Sequence, residues 1–232
     1  MSTTTALKTQ SIVPAAGMGA RLGAELPKAL IPIADRPLLA HTLDRLQEAG
    51  VVDEAIIVAP ASFRDDVARV LEEAFPGHSF TLTDGADERQ ASVARGLEAL
   101  AEDTQIVLIH DAARPFVEPA VIQEGIKAAS QWGAATTATP CVDTILLSDD
   151  EGFLEATPDR NRLWACQTPQ IFRKGIIMRA HGLAAQEGYL ATDDATLARR
   201  MGTPVKLVES SPANFKITTP NDLAMAQRLL SK

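Results

Sequence analysis

Short runs of branched apolar residues alternate with helix-spaced segments along most of this chain, and that alternation admits few folds. Ser11 to Val13, Ala55 to Val58, Phe80 to Thr83, Gln105 to Ile109 and Ala134 to Ala138 read as strands. Between them, Leu38, Leu39, Thr42, Leu43, Leu46 and Ala49 form one helical face closed by Gly50. Val67, Val70, Leu71 and Phe75 form a second, ending at Pro76-Gly77. Val93, Leu97 and Leu100 mark a third helix, and Val121, Ile122 and Ile126 a fourth. The run Ile106-Val107-Leu108-Ile109 is wholly apolar, as in a central strand buried on both faces. The β-α-β-α rhythm predicts an α/β protein with a mostly parallel sheet covered by helices. Ligands of such sheets bind beyond the carboxyl ends of the strands, so residues just after each strand carry the chemistry.

The rhythm breaks between Cys141 and Pro169, where polar and charged residues dominate. A long stretch without its own helix inside a compact domain is often functional, and this one is read as a projecting β-hairpin arm, 141–169. Helices resume at Lys174 to Gln186 and Asp193 to Met201. A short strand at Val205 to Val208, an extended Asn214 to Ile217 and a helix from Asn221 to Leu230 follow. The 232 residues suit one domain, spanning 1–232 with the arm inside it.

The first strand runs into a loop of small residues, Pro14-Ala15-Ala16-Gly17-Met18-Gly19-Ala20, followed by Arg21 and by Pro27-Lys28. Small residues let backbone approach a ligand closely, and exposed N–H groups can cradle phosphate oxygens. Arg21 and Lys28 can neutralise charge that builds up during phosphoryl transfer, so the loop points to a nucleoside triphosphate. It matches neither common phosphate motif. The dinucleotide fingerprint needs glycine where Leu22 stands, and the P-loop pattern is absent because Lys28 follows Pro27. An ordinary strand-to-helix turn with two solvated cations is the plain alternative.

Four further clusters fall at strand ends or in the arm. Asp84-Gly85-Ala86-Asp87-Glu88-Arg89, with Ser92 one turn on, could read a base edge through peptide groups and a hydroxyl. The plain alternative there is a turn with Asp87 as helix cap. In His110-Asp111-Ala112-Ala113-Arg114, Asp111 could orient a hydroxyl or help hold Mg²⁺, and Arg114 could meet a phosphate. His110 reads as packing at the strand end, since no G-x-S-x-G elbow exists to make it part of a triad. The arm supplies Asp143-Thr144, Asp159-Arg160 and Gln167-Thr168-Pro169-Gln170, whose hydroxyls and cations suit a polyol phosphate or plain solvated surface. Last come Thr192-Asp193-Asp194, with Thr192 read as a helix N-cap, and Asn214-Phe215-Lys216, whose lysine in an extended segment is hard to explain by fold alone.

A net charge of −8 argues against a nucleic-acid partner or an anionic membrane surface, so an anionic substrate must be captured by local cations. Cys141 and Cys166 form no C-x-x-C pair and read as reduced thiols. Met1 to Gln10 lacks the apolar run of a signal peptide, and no stretch approaches a membrane span. The expectation is a soluble cytoplasmic protein.

Taken together, Pro27-Lys28, Asp111-Ala112-Ala113-Arg114-Pro115, Asp143-Thr144, Leu163-Trp164, Gln167-Thr168-Pro169-Gln170, Thr192-Asp193 and Asn214-Phe215-Lys216-Ile217-Thr218 resemble, in order, the 2-C-methyl-D-erythritol 4-phosphate cytidylyltransferase family. The likeness runs from about Ile12 to Leu230. It implies a Rossmann-like three-layer nucleotidyltransferase fold and CMP transfer from CTP to methylerythritol 4-phosphate with Mg²⁺. It also implies a homodimer whose arms reach into each other's sites. By the resemblance, Ala15, Ala16, Gly17 and Gly19 hold the nucleotide, and Gly85, Ala86 and Ser92 recognise cytosine. Arg21, Lys28 and Lys216 surround the triphosphate. Asp111, Arg114, Thr144, Arg160, Thr168, Thr192 and Lys216 bind the acceptor, with Thr144 and Arg160 serving the neighbouring site and Asp111 also near the nucleotide. A cytidylyltransferase for another polyol phosphate, such as ribitol 5-phosphate, and a non-catalytic nucleotide-binding protein on the same fold are the alternatives.

Overall fold

The computed structural model describes residues 7–231 except 20, 21, 24, 52 and 53. In chain order the strands and helices are β1 (Thr9–Pro14), β2 (Pro32–Ile33), β3 (Arg36–Pro37), α1 (Leu38–Glu48), β4 (Ile56–Ala59), α2 (Arg64–Ala74), β5 (Thr81–Asp84), α3 (Arg89–Glu98), β6 (Ile106–Ile109), α4 (Pro119–Trp132) and β7 (Ala134–Pro140). There follow β8 (Leu147–Ser148), β9 (Leu154–Ala156), β10 (Trp164–Arg173), α5 (Lys174–Glu187), α6 (Asp194–Arg200), β11 (Lys206–Glu209) and α7 (Pro220–Leu230). The predicted strands fall within a residue or two of the observed ones.

Seven strands form one sheet in the order β11-β7-β10-β6-β1-β4-β5. β1 runs parallel to both neighbours, with Val13 opposite Ile57 and Ser11 opposite Leu108. β4 with β5 and β7 with β11 are also parallel pairs. β10 alone is antiparallel to the strands beside it, placing Ile171 opposite Leu108 and Ala135. The sheet is therefore mostly parallel, as the β-α rhythm requires.

Because successive strand residues face opposite sides, the central strands feed two cores. Val13, Ile57 and Leu108 pack with Leu39 and Leu43 of α1, Val67 of α2 and Ile122 of α4. Ile12, Ile56, Val107 and Ile109 pack with Val93 of α3, Ile177 of α5 and Ala198 of α6 on the other face. This gives three layers, and each fully buried aliphatic side chain contributes about 1.5–3 kcal/mol through lost contact with water. At Gly96 a β-carbon would come within 2.6 Å of Ile12 Cγ2, so only glycine lets α3 seat this closely on β1. A third cluster, Ile33, Leu38, Ala113, Ile217 and Ala226, fastens α7 at the carboxyl end of the sheet.

The segment 141–169 divides in two. β8 and β9 pair as a small separate hairpin, whereas from Trp164 the chain is already back in the main sheet, paired with Pro140. Val142, just after β7, and Phe153 and Leu154 on the hairpin are 77%, 68% and 62% exposed, apolar side chains with no cover in the single chain. Asn214 to Ile217, read as extended, forms no ladder; Ile217 N–H bonds Ala113 C=O at 2.9 Å instead. Among the described residues no helix is long and apolar enough to cross a membrane.

Candidate active site

β4 and β5 lie on one side of β1 and β6 on the other, so the direction of winding reverses at β1. Loops leaving β1 and β6 must part there, which opens a crevice at the carboxyl end of the sheet. A cavity of about 630 Å³ occupies that point, lined by Ala15, Ala16, Gly17, Lys28, Gly85, Ala86, Ser92, Asp111 and Lys216. These nine positions, singled out from sequence on four separate segments, converge on one cleft.

The loop after β1 is tied back on itself. Ala15 N–H donates to Val58 C=O at 2.8 Å, and Lys28 N–H to Gly17 C=O at 2.9 Å, returning Lys28 to the strand's end. Gly19 N–H donates to Leu26 C=O at 3.1 Å, so Gly19 shapes the loop and does not line the cleft. Arg21 lies outside the described residues.

Across the cleft, Gly85 N–H donates to Ala59 C=O at 2.7 Å, and a β-carbon at Gly85 would collide with that of Ala16. The Ser92 hydroxyl accepts from Ala86 N–H at 2.9 Å and donates to Ala86 C=O at 3.1 Å. Arg95 Nη1 donates to Gly85 C=O at 2.5 Å and Asp84 C=O at 3.2 Å. Ser92 and Arg95 thus fix a slot edged by peptide groups, the chemistry needed to read a flat base. The residue flanking α3 is Glu88, and Asp87 makes no cap.

Asp111 is the electrostatic centre. Its Oδ1 accepts from Arg89 Nε at 3.0 Å, its Oδ2 lies 2.8 Å from Lys216 Nζ, and Arg114 Nε stands 4.0 Å off. Burial alone would raise its pKa, but Arg89, Lys216 and Arg114 outweigh burial and hold the carboxyl well below the usual range. Behind it, Asp111 N–H donates to the Thr168 hydroxyl at 3.0 Å, where β10 breaks its pairing with β7. Thr168 Oγ1 is 3.0 Å from His110 Nδ1, and His110 Nε2 is 3.0 Å from Arg114 C=O. A carbonyl only accepts, so Nε2 carries the proton, Nδ1 accepts, and Thr168 donates. Burial pushes His110 down to about 4, so it is neutral at pH 7 and braces the site from beneath.

Arg114 points to protein, not to open cleft. Its Nη1 donates to Asn214 C=O at 2.7 Å, its Nη2 reaches Cys166 C=O at 3.5 Å, and burial lowers its pKa. Asn214 Nδ2 donates to Thr168 C=O at 2.9 Å, and Thr219 with Asp222 form a capping box on α7. The segment carrying Lys216 is therefore clamped at both ends.

Thr192 is exposed and does not cap α6. Asp193 does, its carboxylate accepting from Thr196 N–H at 2.7 Å. The start of α6 is set by Gln170, whose Oε1 accepts from the N–H groups of both Asp194 and Ala195 at 2.9 Å. Thr144 and Arg160 are exposed on the arm and away from this cleft; Arg160 Nη1 donates to Val142 C=O at 2.8 Å. Two residues given no part in the site from sequence belong here: Arg89, which lines the cleft, and Asp194, read only as suiting the helix dipole, which pairs with it at 2.8 Å. The signal for Arg89 was its place in the Asp84–Arg89 cluster just past a strand.

Among the described residues no group of three histidine, cysteine, aspartate or glutamate side chains could hold a metal. Asp111, offered by the sequence for Mg²⁺, has both oxygens engaged by cations.

Comparison with known proteins agrees with this architecture. Residues 9–232 match the family model for 2-C-methyl-D-erythritol 4-phosphate cytidylyltransferase. A protein of that name from Desulforamulus reducens is 43% identical over 223 residues, covering 96% of this chain and 95% of that one. Another from Caldanaerobacter subterraneus subsp. tengcongensis is 41% identical, covering 97% and 100%. The crystal structure of 4-diphosphocytidyl-2C-methyl-D-erythritol synthase from Anaerococcus prevotii superposes with a TM-score of 0.87 at 30% identity, covering 97% of each chain. The cytidylyltransferase structure from Thermus thermophilus gives 0.80 at 33% identity, covering 97% of this chain and 100% of that one. On sequence and fold alike, over nearly its full length, this chain belongs to the 2-C-methyl-D-erythritol 4-phosphate cytidylyltransferase family.

Proposed function

We propose that the protein transfers CMP from CTP to 2-C-methyl-D-erythritol 4-phosphate, giving 4-diphosphocytidyl-2-C-methyl-D-erythritol and pyrophosphate in non-mevalonate isoprenoid synthesis. The observation carrying this reading is the convergence of a backbone-edged base slot, Lys28 and the Asp111–Lys216 pair on one cleft at the switch point of the sheet. An acceptor phosphate oxygen attacks the α-phosphorus of CTP. The new P–O bond forms as the bond to the α–β bridging oxygen breaks, and pyrophosphate leaves with that electron pair. The nucleophile is already anionic, so no general base is needed and catalysis rests on alignment and charge neutralisation.

In this reading Ala15, Ala16 and Gly17 hold the nucleotide, and Gly85 and Ala86, braced by Ser92, read cytosine. Lys28 and Lys216, with Arg21, stabilise the charge at the α-phosphorus. Asp111 orients Lys216 and a substrate hydroxyl, and Thr168 and Arg114 act through Asp111 and the Asn214 carbonyl. Thr192, exposed just ahead of α6, stands ready for the acceptor. Mg²⁺ held by the triphosphate oxygens, with Asp111 lining the cleft beside it, would supply further charge neutralisation at the transferred phosphorus.

The enzyme works as a homodimer with exchanged arms. The exposed Val142, Phe153 and Leu154 support this, because an uncovered apolar patch of that kind marks an interface. Arg160 and Thr144 then complete the partner's site, where Arg160 aims the attacking phosphate. Two unpaired thiols, Cys141 and Cys166, support a cytoplasmic location. Pyrophosphate release with CTP and Mg²⁺ tests the reading, offering methylerythritol 4-phosphate and ribitol 5-phosphate in parallel. Turnover only with the first is expected. Turnover only with the second would move the enzyme to another acceptor, and none with either would overturn the reaction.

A further inference from the structure

We infer that Arg89 is a positioning residue for this reaction: fastened to Asp194, it fixes the Asp111 carboxylate, which in turn holds the Lys216 ammonium at the cleft. The inference rests on the reaction proposed above. Arg89 sits in the first turn of α3, which the close approach at Gly96 seats on β1. One guanidinium spans two carboxylates, with Nε 3.0 Å from Asp111 Oδ1 and Nη1 2.8 Å from Asp194 Oδ2. A lysine could reach only one of them, whereas the planar fork of arginine sets the distance between both.

The anchor is itself immobilised. Asp194 is 1% exposed, its backbone N–H is taken by Gln170 Oε1 at 2.9 Å, and its Oδ1 lies 2.9 Å from His181 Nε2. A rigid series thus runs from β10 and α5 through Asp194 and Arg89 to Asp111, and ends on Lys216. Arg89 Nη2 is buried and has no partner among the described residues, so two of the guanidinium's three nitrogens serve this bridge. The charged and titratable groups facing Asp111 are Arg89 from α3, Lys216 from the loop before α7, Arg114 from its own loop and His110 beneath it. Of these, Arg89 alone links Asp111 to an anchor on another layer of the fold.

The test compares Arg89→Gln and Asp194→Asn with the unsubstituted enzyme. Arg89→Gln is expected to lower kcat about 10- to 100-fold, the range for a misplaced catalytic group, while the CTP Kd stays within about threefold. The acid limb of kcat should move to higher pH, because Asp111 loses one of the cations that keep it ionised. Asp194→Asn should move both readouts the same way by less, and the double variant should be no worse than Arg89→Gln. A crystal structure of Arg89→Gln should show Lys216 Nζ displaced from its 2.8 Å contact with Asp111.

A folded Arg89→Gln enzyme with wild-type kcat and acid limb would overturn the inference, whatever its melting temperature. So would a loss of CTP affinity as large as the loss of kcat, which would put Arg89 on the nucleotide. If Arg89→Gln fails to fold, unmoved kcat and acid limb in Asp194→Asn overturn it equally. Silence of the unsubstituted enzyme would defeat the reaction instead, and Lys216 still seated on Asp111 in the variant crystal would then decide against Arg89.

Discussion

Lys216→Met separates a catalytic role from a structural one by magnitude. Lys216 Nζ contacts Asp111 Oδ2 at 2.8 Å, but its side chain is 36% exposed. A partly exposed ion pair contributes at most about 1 kcal/mol. Asp111 keeps Arg89 at 3.0 Å after the change, so no buried carboxylate is stranded, and methionine retains the apolar length of the lysine stem. A loss of about 1 kcal/mol lowers Tm by about 2–4 °C in a chain of this size. Against a total stability of about 5–15 kcal/mol, the folded fraction stays near unity. Removing one preorganised charge from a transition state costs roughly 10²–10³ in rate, equivalent to about 2.7–4 kcal/mol. Stability and rate should therefore part company: thermal melting nearly unchanged, and pyrophosphate release at saturating CTP and acceptor reduced at least about a hundredfold. A kcat within a few-fold of wild type would refute the role given to Lys216. A Tm collapse matching the activity loss would refute the claim that the Lys216 segment is held independently by Ile217 and the α7 capping box.

Three other outcomes follow from particular contacts. His110 is held at about 4 in the folded chain against about 6.5 unfolded, so the unfolded state binds the extra proton and stability falls as pH drops from 6.5 toward 4. Urea midpoints measured between pH 7 and 4.5 should decline, and His110→Asn should flatten that decline; an unchanged slope would show that His110 is not the group responsible. Gly85→Ala forces a β-carbon into that of Ala16, so it should weaken CTP binding in calorimetry by about five- to 150-fold, the effect of roughly 1–3 kcal/mol of overpacking. Mixing Lys28→Ala chains with Arg160→Ala chains should restore activity that neither has alone, because a hybrid dimer contains one intact shared site; no recovery after confirmed exchange would rule out sharing.

Six of the seven sheet strands, the helical faces and the loops after β1, β5 and β6 were legible in the sequence, because each is a local pattern repeated over several residues; β10, whose first half was read as arm, was not. The convergence of Lys28, Asp111 and Lys216 was legible only through the rule that places ligands at strand ends. Direction was not legible. Arg114 was read as meeting a phosphate, yet its guanidinium turns to the carbonyls of Asn214 and Cys166, and nothing local shows which way a buried arginine points. Thr192 and Asp193 are both good capping residues, and propensity cannot rank neighbours. Gln170, 24 residues from Asp194 and on strand β10, decides the helix start. The Arg89–Asp194 pair spans 105 positions and exists only once α3 and α6 share a face of the sheet. Arg160 and Thr144 stand outside this chain's own cleft, which no local pattern in the arm reveals.

The antiparallel strand β10 has a consequence for how such an enzyme can change. β7 and β10 pair along Ala134–Thr136 with Gln170–Phe172, and again along Ala138–Pro140 with Trp164–Cys166. The arm is thus the loop of one long hairpin whose stem is stapled into the sheet. Its length and sequence can vary without altering the strand order or the register that aims Lys28, Asp111 and the base slot. The nucleotide half and the arm are therefore free to diverge separately, and exchanging arms between relatives should transplant acceptor preference and subunit pairing while leaving CTP handling intact.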